Sequence, residues 1–113
     1  MVSPSAGAVV LVTFPFSDLS QAKLRPAVVL ARASKNDCIL CQITSNAYSD
    51  PRSVKLADEN ILSGSLRTVS YARPGKLFTA NDQLVVAEVG KLTSDTLKKI
   101  VEAVSDLLRE GLR

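Results

Sequence analysis

Apolar residues fall into two regimes along the chain: short runs rich in β-branched residues up to Val89, then positions recurring every three or four residues after Leu92. Ala8-Val9-Val10-Leu11-Val12-Thr13-Phe14 is a nearly continuous apolar run, preceded by Gly7 and stopped by Pro15, and reads as a buried strand. Pro26 to Ala31 and Cys38 to Thr44 flank the turn Ser34-Lys35-Asn36-Asp37 and make a hairpin. Tyr48 to Arg52 reads as a loop and Val54 to Leu56 as a short strand. A strand from Ser65 to Ala72 is entered through Ser63-Gly64, Pro74-Gly75 forms a turn, and Gln83 to Val89 is a further strand after Asn81-Asp82. Strands this short at this spacing predict a small antiparallel barrel or sandwich.

In the second regime Leu97, Ile100, Val101, Val104, Leu107 and Leu108 lie on one face of a helix. Thr93 can cap it, Asp95 suits its first turn, Gly111 lies just past its end, and Leu92 and Leu97 occupy the two positions of a hydrophobic staple. The apolar stripe must pack on the sheet, or its far end must meet another chain. No repeat or linker interrupts the 113 residues, so residues 1–113 are expected to form one mainly β domain with a C-terminal amphipathic helix.

Composition changes this picture little. Hydrophobic residues make up 46% of the chain and aromatic ones only 4%, with no Trp, so the core is built of Val, Leu, Ile and Ala. A balance of 14 Lys+Arg against 11 Asp+Glu permits a polyanionic partner without requiring one. No run of about 18 apolar residues is present to span a bilayer, and the N-terminus lacks the regions of a secretion signal. The expectation is a cytoplasmic protein without a membrane partner. Cys38 and Cys41 have C-x-x-C spacing, but residues three apart on a strand face opposite ways, so the pair should neither bind a metal nor form a disulfide.

The candidate chemistry begins with an absence: the chain contains no His. His-based acid–base catalysis, Ser–His and Cys–His nucleophiles and His metal sites are thereby excluded. There is also no P-loop and no Gly-x-Gly-x-x-Gly. An enzyme built from this chain works with Arg, Lys, Asp, Glu, Ser, Thr and Tyr, without a metal or other cofactor. Arg25 precedes Pro26, which restricts it to extended geometry at a strand mouth, where its planar fork suits phosphate. The alternative is a surface Arg paired with Asp18 or Glu88. Thr44 and Ser45, at the end of the second hairpin strand, can donate to a phosphate oxygen or make local turn bonds. Tyr71, Arg73 and Lys76 place an aromatic ring near two cations, a combination able to stack a base and hold its backbone, although a solvated turn has the same composition.

Taken together, Phe14-Pro15-Phe16-Ser17-Asp18, Lys23-Leu24-Arg25-Pro26-Ala27-Val28-Val29-Leu30, Ile43-Thr44-Ser45, Ser70-Tyr71-Ala72-Arg73-Pro74-Gly75-Lys76-Leu77 and Val89-Gly90-Lys91-Leu92 resemble the MazF/PemK family of toxins from type II toxin–antitoxin systems. The likeness runs from Val9 into the C-terminal helix. Its most specific element is Lys-x-Arg-Pro-Ala-Val-Val-Leu followed about a dozen residues later by Ile-Thr-Ser. The resemblance implies an SH3-like barrel acting as a homodimer, a metal-independent endoribonuclease that cuts single-stranded RNA to a 2′,3′-cyclic phosphate and a 5′-hydroxyl, and a cognate antitoxin that blocks the site with a disordered segment. It also implies that Arg25 and Thr44 are catalytic, with Ser45 beside them.

Such a reaction develops negative charge on the non-bridging phosphate oxygens, which Arg25, Thr44 and Ser45 would stabilise. Ser17, Lys23, Asn46, Tyr71, Arg73 and Lys76 are the candidate RNA-binding residues. The proton acceptor is left open by two departures from the family pattern. Gly75 stands where one branch has an acid, and the loop before Arg25 offers Asp18 where another branch has Glu. Asp18, a water or a residue of a second subunit could serve. A binding module that keeps the phosphate pocket without cleaving, and a barrel serving only dimerisation, are the competing readings.

Overall fold

The computed structural model describes residues 3–14, 23–47 and 50–113, with Phe14 described by its backbone alone. Seven strands form one antiparallel sheet: β1 (Ala8–Phe14), β2 (Lys23–Arg32), β3 (Asp37–Thr44), β4 (Val54–Leu56), β5 (Ile61–Gly64), β6 (Ser70–Asn81) and β7 (Val85–Leu92), followed by helix α1 (Ser94–Glu110). The order across the sheet is β4-β6-β3-β2-β1-β7-β5. Its two edges, β4 and β5, are joined through the 3-10 turn Asp58–Asn60, and the sheet curls into a nearly closed barrel. This is the SH3-like barrel with a C-terminal helix that the sequence leads one to expect.

Alternation along the central strands feeds two cores on opposite faces of the sheet. One takes Val10, Val12, Ala27, Val29, Cys38, Leu40 and Ala80, with Val10 opposite Ala27, Val29 opposite Leu40 and Cys38 opposite Ala80. The other takes Val9, Val28, Cys41, Ile43, Leu56, Ala72, Leu92 and Ile100. Cys38 and Cys41 thus lie in different cores, as the strand period requires, and both are buried free thiols. Burial pushes the Cys41 thiol up to about 12, and its sulfur donates to the Arg73 carbonyl at 3.1 Å, so this cysteine is an inert core residue.

Helix α1 lays Ile100 and Val104 against the second core and packs on β6 and β4. Its start is fixed by a small polar cluster. The Thr93 hydroxyl accepts from the Thr96 backbone N–H at 3.3 Å, and the Asn60 side-chain amide donates to the Thr96 hydroxyl at 3.0 Å. The Thr93 N–H donates to the Asn60 carbonyl at 3.0 Å, tying the helix to the turn that closes the barrel.

Several boundaries differ from those the sequence suggests. Residues 65–69 form no strand; β6 begins at Ser70 and runs on to Asn81, and Ile61–Gly64 is itself a strand. Pro74-Gly75 is not a turn between strands but lies inside β6, where a large irregularity opposes Cys41 and Ile43 of β3 to Leu77 and Ala72. A proline is tolerated in a strand at such a point because no ladder donor is needed there. Asp82–Leu84 is 3-10, and β7 starts at Val85.

Away from the barrel mouth, Arg32 donates to both carboxylate oxygens of Asp82 at 2.7 Å and to the carbonyl of Lys35 at 2.7 Å. This fork joins the β2–β3 hairpin to the β6–β7 connection around a carboxylate only 1% exposed. The hydrogen bonds from Arg32 hold the Asp82 carboxyl below its usual range. Because the folded value is the lower one, the pair stabilises the fold above the ordinary carboxylate range near pH ~3.9, and that support disappears as pH falls through the lowered value. Asp82→Ala leaves the guanidinium without its counter-charge and should lower Tm by about 10 °C or more at neutral pH, with a smaller difference in acid, as read by thermal melts at two pH values.

Candidate active site

At one end of the barrel is an open cleft of about 800 Å³ lined by β2, β3, the 65–68 segment and the irregularity of β6. The β2–β3 register places Ala27 opposite Gln42. Beyond that pair Arg25 stands opposite Val12 of β1 and Thr44 opposite Tyr71 of β6, and both line the cleft. Arg25 is exposed, and Pro26 behind it confines its backbone to the extended region, so the guanidinium projects from a fixed strand rather than from a flexible tip. Among the described residues Arg25 has no carboxylate within ion-pair distance; in particular it does not pair with Glu88.

Thr44 makes one local turn bond, its hydroxyl oxygen accepting from the Asn46 N–H at 3.2 Å. That contact occupies an acceptor position and leaves the hydroxyl proton able to donate. Ser45, the next residue, also lines the cleft. The other wall comes from β6. The irregularity there turns Arg73 and Lys76 into the cleft, while Pro74 is buried behind them. Arg73 Nε lies 3.5 Å from Asp50 Oδ2.

Arg25, Thr44, Ser45, Arg73 and Lys76, distant in sequence, therefore share one cleft. Lys23 is exposed at the first residue of β2 and Asn46 serves Thr44 through its backbone, but neither belongs to the lining; nor does Tyr71, half-buried across from Thr44 and Lys55. Ser17 and Asp18 lie outside the described residues. The structure adds Arg67, Thr68, Ser65, Ser70 and Gln42 to the lining. Reading Ser65–Ala72 as a strand hid all of these but Gln42. The available signal was the polar density of Ser63-Gly64-Ser65 and Arg67-Thr68, which favours a loop over a buried strand.

Arg25, Arg67, Arg73 and Lys76 bring positive charge, Thr44, Ser45, Thr68 and Ser70 bring hydroxyls, and among the described residues none in the lining is acidic. Such a cleft can bind a phosphodiester and donate hydrogen bonds to more than one of its oxygens.

Comparison with known proteins bears on the family and the fold. A family model described as PemK-like, MazF-like toxin of type II toxin–antitoxin system matches residues 5–108. No curated protein sequence matches the chain. Among solved structures, MazE–MazF (Form-II) from Deinococcus radiodurans aligns with a TM-score of 0.73 at 20% identity, over 96% of this chain and 97% of that one. MazF (Form-I) from the same organism gives 0.71 at 23% identity over 96% and 98%. An endoribonuclease in complex with its cognate antitoxin from Mycobacterial species gives 0.71 at 17% identity over 96% and 95%. At these identities the structural likeness speaks for the fold.

Proposed function

Given that the chain belongs to the PemK-like, MazF-like toxin family of type II toxin–antitoxin systems, we propose that it is an endoribonuclease that cleaves single-stranded RNA, messenger RNA included, without a metal. The observation that carries this reading is the convergence of Arg25 and Thr44 from neighbouring strands on one open, cationic cleft. The ribose 2′-OH attacks the adjacent phosphorus, the 5′-oxygen of the next nucleotide leaves with a proton, and a 2′,3′-cyclic phosphate and a 5′-hydroxyl remain. Arg25 holds the non-bridging oxygens as their charge grows, and the hydroxyls of Thr44 and Ser45 add hydrogen bonds. Lys23, Asn46, Tyr71, Arg73 and Lys76, with Ser17 of the loop before β2, follow the backbone and bases on either side. Asp18 is the candidate proton acceptor.

Fixed cations supply the charge neutralisation that a metal would otherwise bring, and among the described residues the lining offers no carboxylate to ligate one. The partner is a cognate antitoxin whose disordered, acidic and apolar segment occupies the same cleft in place of RNA. The enzyme acts as a homodimer, a reading supported by the exposed apolar Val101 and Leu108 on α1. Its place is the cytoplasm, where its substrate is; no helix among the described residues is long and apolar enough to cross a membrane.

The test is incubation of the purified protein with a long single-stranded RNA and with DNA of the same sequence, EDTA present. Cleavage of RNA alone is expected. RNA retention without cleavage would support a binding module instead, and neither binding nor cleavage would leave only a dimerising barrel.

A further inference from the structure

Next to the cleft is a second pocket, of about 470 Å³, which shares Leu66, Arg67 and Thr68 with it. The two form one continuous surface, but the second pocket differs in character. Its walls are apolar, with Leu56 buried, Ile61 and Leu66 half-buried and Val69 47% exposed. It also carries the exposed carboxylates of Asp58 and Glu59, where the cleft has none among the described residues. Neither carboxylate makes a hydrogen bond or an ion pair with another described residue.

The Asp58–Asn60 turn that bears them is set by its own hydrogen bonds. The Ala57 N–H donates to the Asn60 side-chain oxygen at 2.9 Å, the Asn60 N–H to the Ala57 carbonyl at 2.9 Å, and the Ile61 N–H to the Asp58 carbonyl. Asn60 also ties the turn to the start of α1. The carboxylates therefore stand on backbone that is ordered before a ligand arrives, which leaves only their side chains for binding to order.

A phosphate is disfavoured in this pocket, because two carboxylates repel it. An unpaired base is not: apolar walls cover its faces, and carboxylates, which only accept, take hydrogen bonds from its edge. Guanine presents N1–H and N2–H side by side, a pair of donors that matches the two oxygens of a carboxylate. Uracil presents one N–H between two carbonyl oxygens, which a carboxylate repels. Arg67, common to both pockets, stands where the backbone would pass from one to the other.

We infer that this pocket is a base subsite, selecting guanine over uracil in the RNA that lies in the cleft. It rests on the ribonuclease reading for its ligand. Its sign separates base recognition from bulk charge. Neutralising carboxylates beside a polyanion tightens the binding of every RNA if charge is their only effect. If they read the base, neutralising them weakens RNA that contains guanine and strengthens RNA that lacks it.

The experiment uses the full chain and the double variant Asp58→Asn, Glu59→Gln, whose Tm should match the parent's because the exposed carboxylates hold no described partner. The probes are 2′-O-methyl pentanucleotides, which lack the attacking hydroxyl: all-uridine, and uridine with a single guanosine at each position in turn. The parent should bind one guanosine-containing pentamer about tenfold more tightly than the all-uridine one, and the methyl NMR signals of Ile61, Leu66 and Val69 should shift with it. The double variant should lose that preference and bind the all-uridine pentamer more tightly than the parent does. Equal affinities of the parent for all pentamers, or a preference retained by the variant, would overturn the inference and leave the pocket to another occupant, such as a basic peptide. If the parent cuts long RNA but shows no guanosine preference, the subsite alone fails. If it binds no pentamer and cuts no RNA, the ribonuclease reading fails and takes the subsite with it.

Discussion

Arg25→Ala is expected to reduce the single-turnover rate of RNA cleavage by about 100-fold or more while leaving the protein folded. The rate loss follows from the place of the guanidinium, a cation projecting from a strand into the cleft that Thr44 also lines. The intact fold follows from its surroundings. Arg25 is exposed and forms no ion pair with a described carboxylate, so its removal should change stability by no more than about 0.5 kcal/mol. Arg25→Lys keeps the charge but replaces a planar fork with a point donor, and should recover only a part of the rate. Single-turnover kinetics with thermal melts on the same preparations separate the two effects. A parent-like rate in Arg25→Ala would remove this residue from the chemistry.

A large loss of stability is expected from Gly64→Ala. Gly64 has φ +76°, a conformation that costs an L side chain about 1–2 kcal/mol. A Cβ at this position would lie 2.2 Å from the Val89 carbonyl oxygen and 2.5 Å from the Gly90 Cα, both backbone atoms that cannot rotate away. Overpacking of this kind adds about 1–3 kcal/mol, a large fraction of the roughly 5–15 kcal/mol that holds a domain together. The position also matters to the cleft, because Gly64 pairs with Gly90 where β5 meets β7, next to the lining residues Ser65 and Val89. Denaturant titration should show a markedly lower midpoint, with activity lost alongside. Gly75→Ala is the matched control: its Cβ would meet only Leu107 Cδ2 at 3.8 Å, an ordinary contact, and the midpoint should stay put.

Elements with one dominant signal could be read from the sequence. The β-branched run at Ala8–Phe14, the Val54–Leu56 strand, the turn before Asp37 and the capped helix after Thr93 all stand where local pattern puts them, because period and punctuation agree there. The opposite orientation of Cys38 and Cys41 follows from strand geometry alone and holds in the structure. Where tertiary pairing overrides local chemistry, the sequence misleads. Pro74-Gly75 carries the strongest turn signal in its region, yet pairing with β3 on both sides keeps it inside β6 and converts the expected turn into the bulge that exposes Arg73 and Lys76. Ser65–Val69 has strand-like residues but no strand partner, and so becomes a wall of the cleft.

For the site, Arg25 and Thr44 were legible because proline stiffening and the hairpin register are local properties. Arg67 and Thr68 were not, since their place depends on the path of a loop that no periodicity records. The ion pair between Asp50 and Arg73 joins residues 23 positions apart and could come only from three dimensions. Tyr71, grouped with Arg73 and Lys76 by sequence, lies half-buried opposite Thr44 and Lys55 and is not among the described lining residues.

The proposed stabilisation by Arg25 and Thr44 of a phosphorane formed by a ribose 2′-OH is tested most directly by mass analysis of the products from two oligonucleotides that differ only at the scissile nucleotide, ribose in one and 2′-deoxyribose in the other. The predicted result is cleavage of the ribose form alone, in EDTA, with a 2′,3′-cyclic phosphate on one fragment and a 5′-hydroxyl on the other. Cleavage of the deoxy form, or a 5′-phosphate on the downstream fragment, would contradict it.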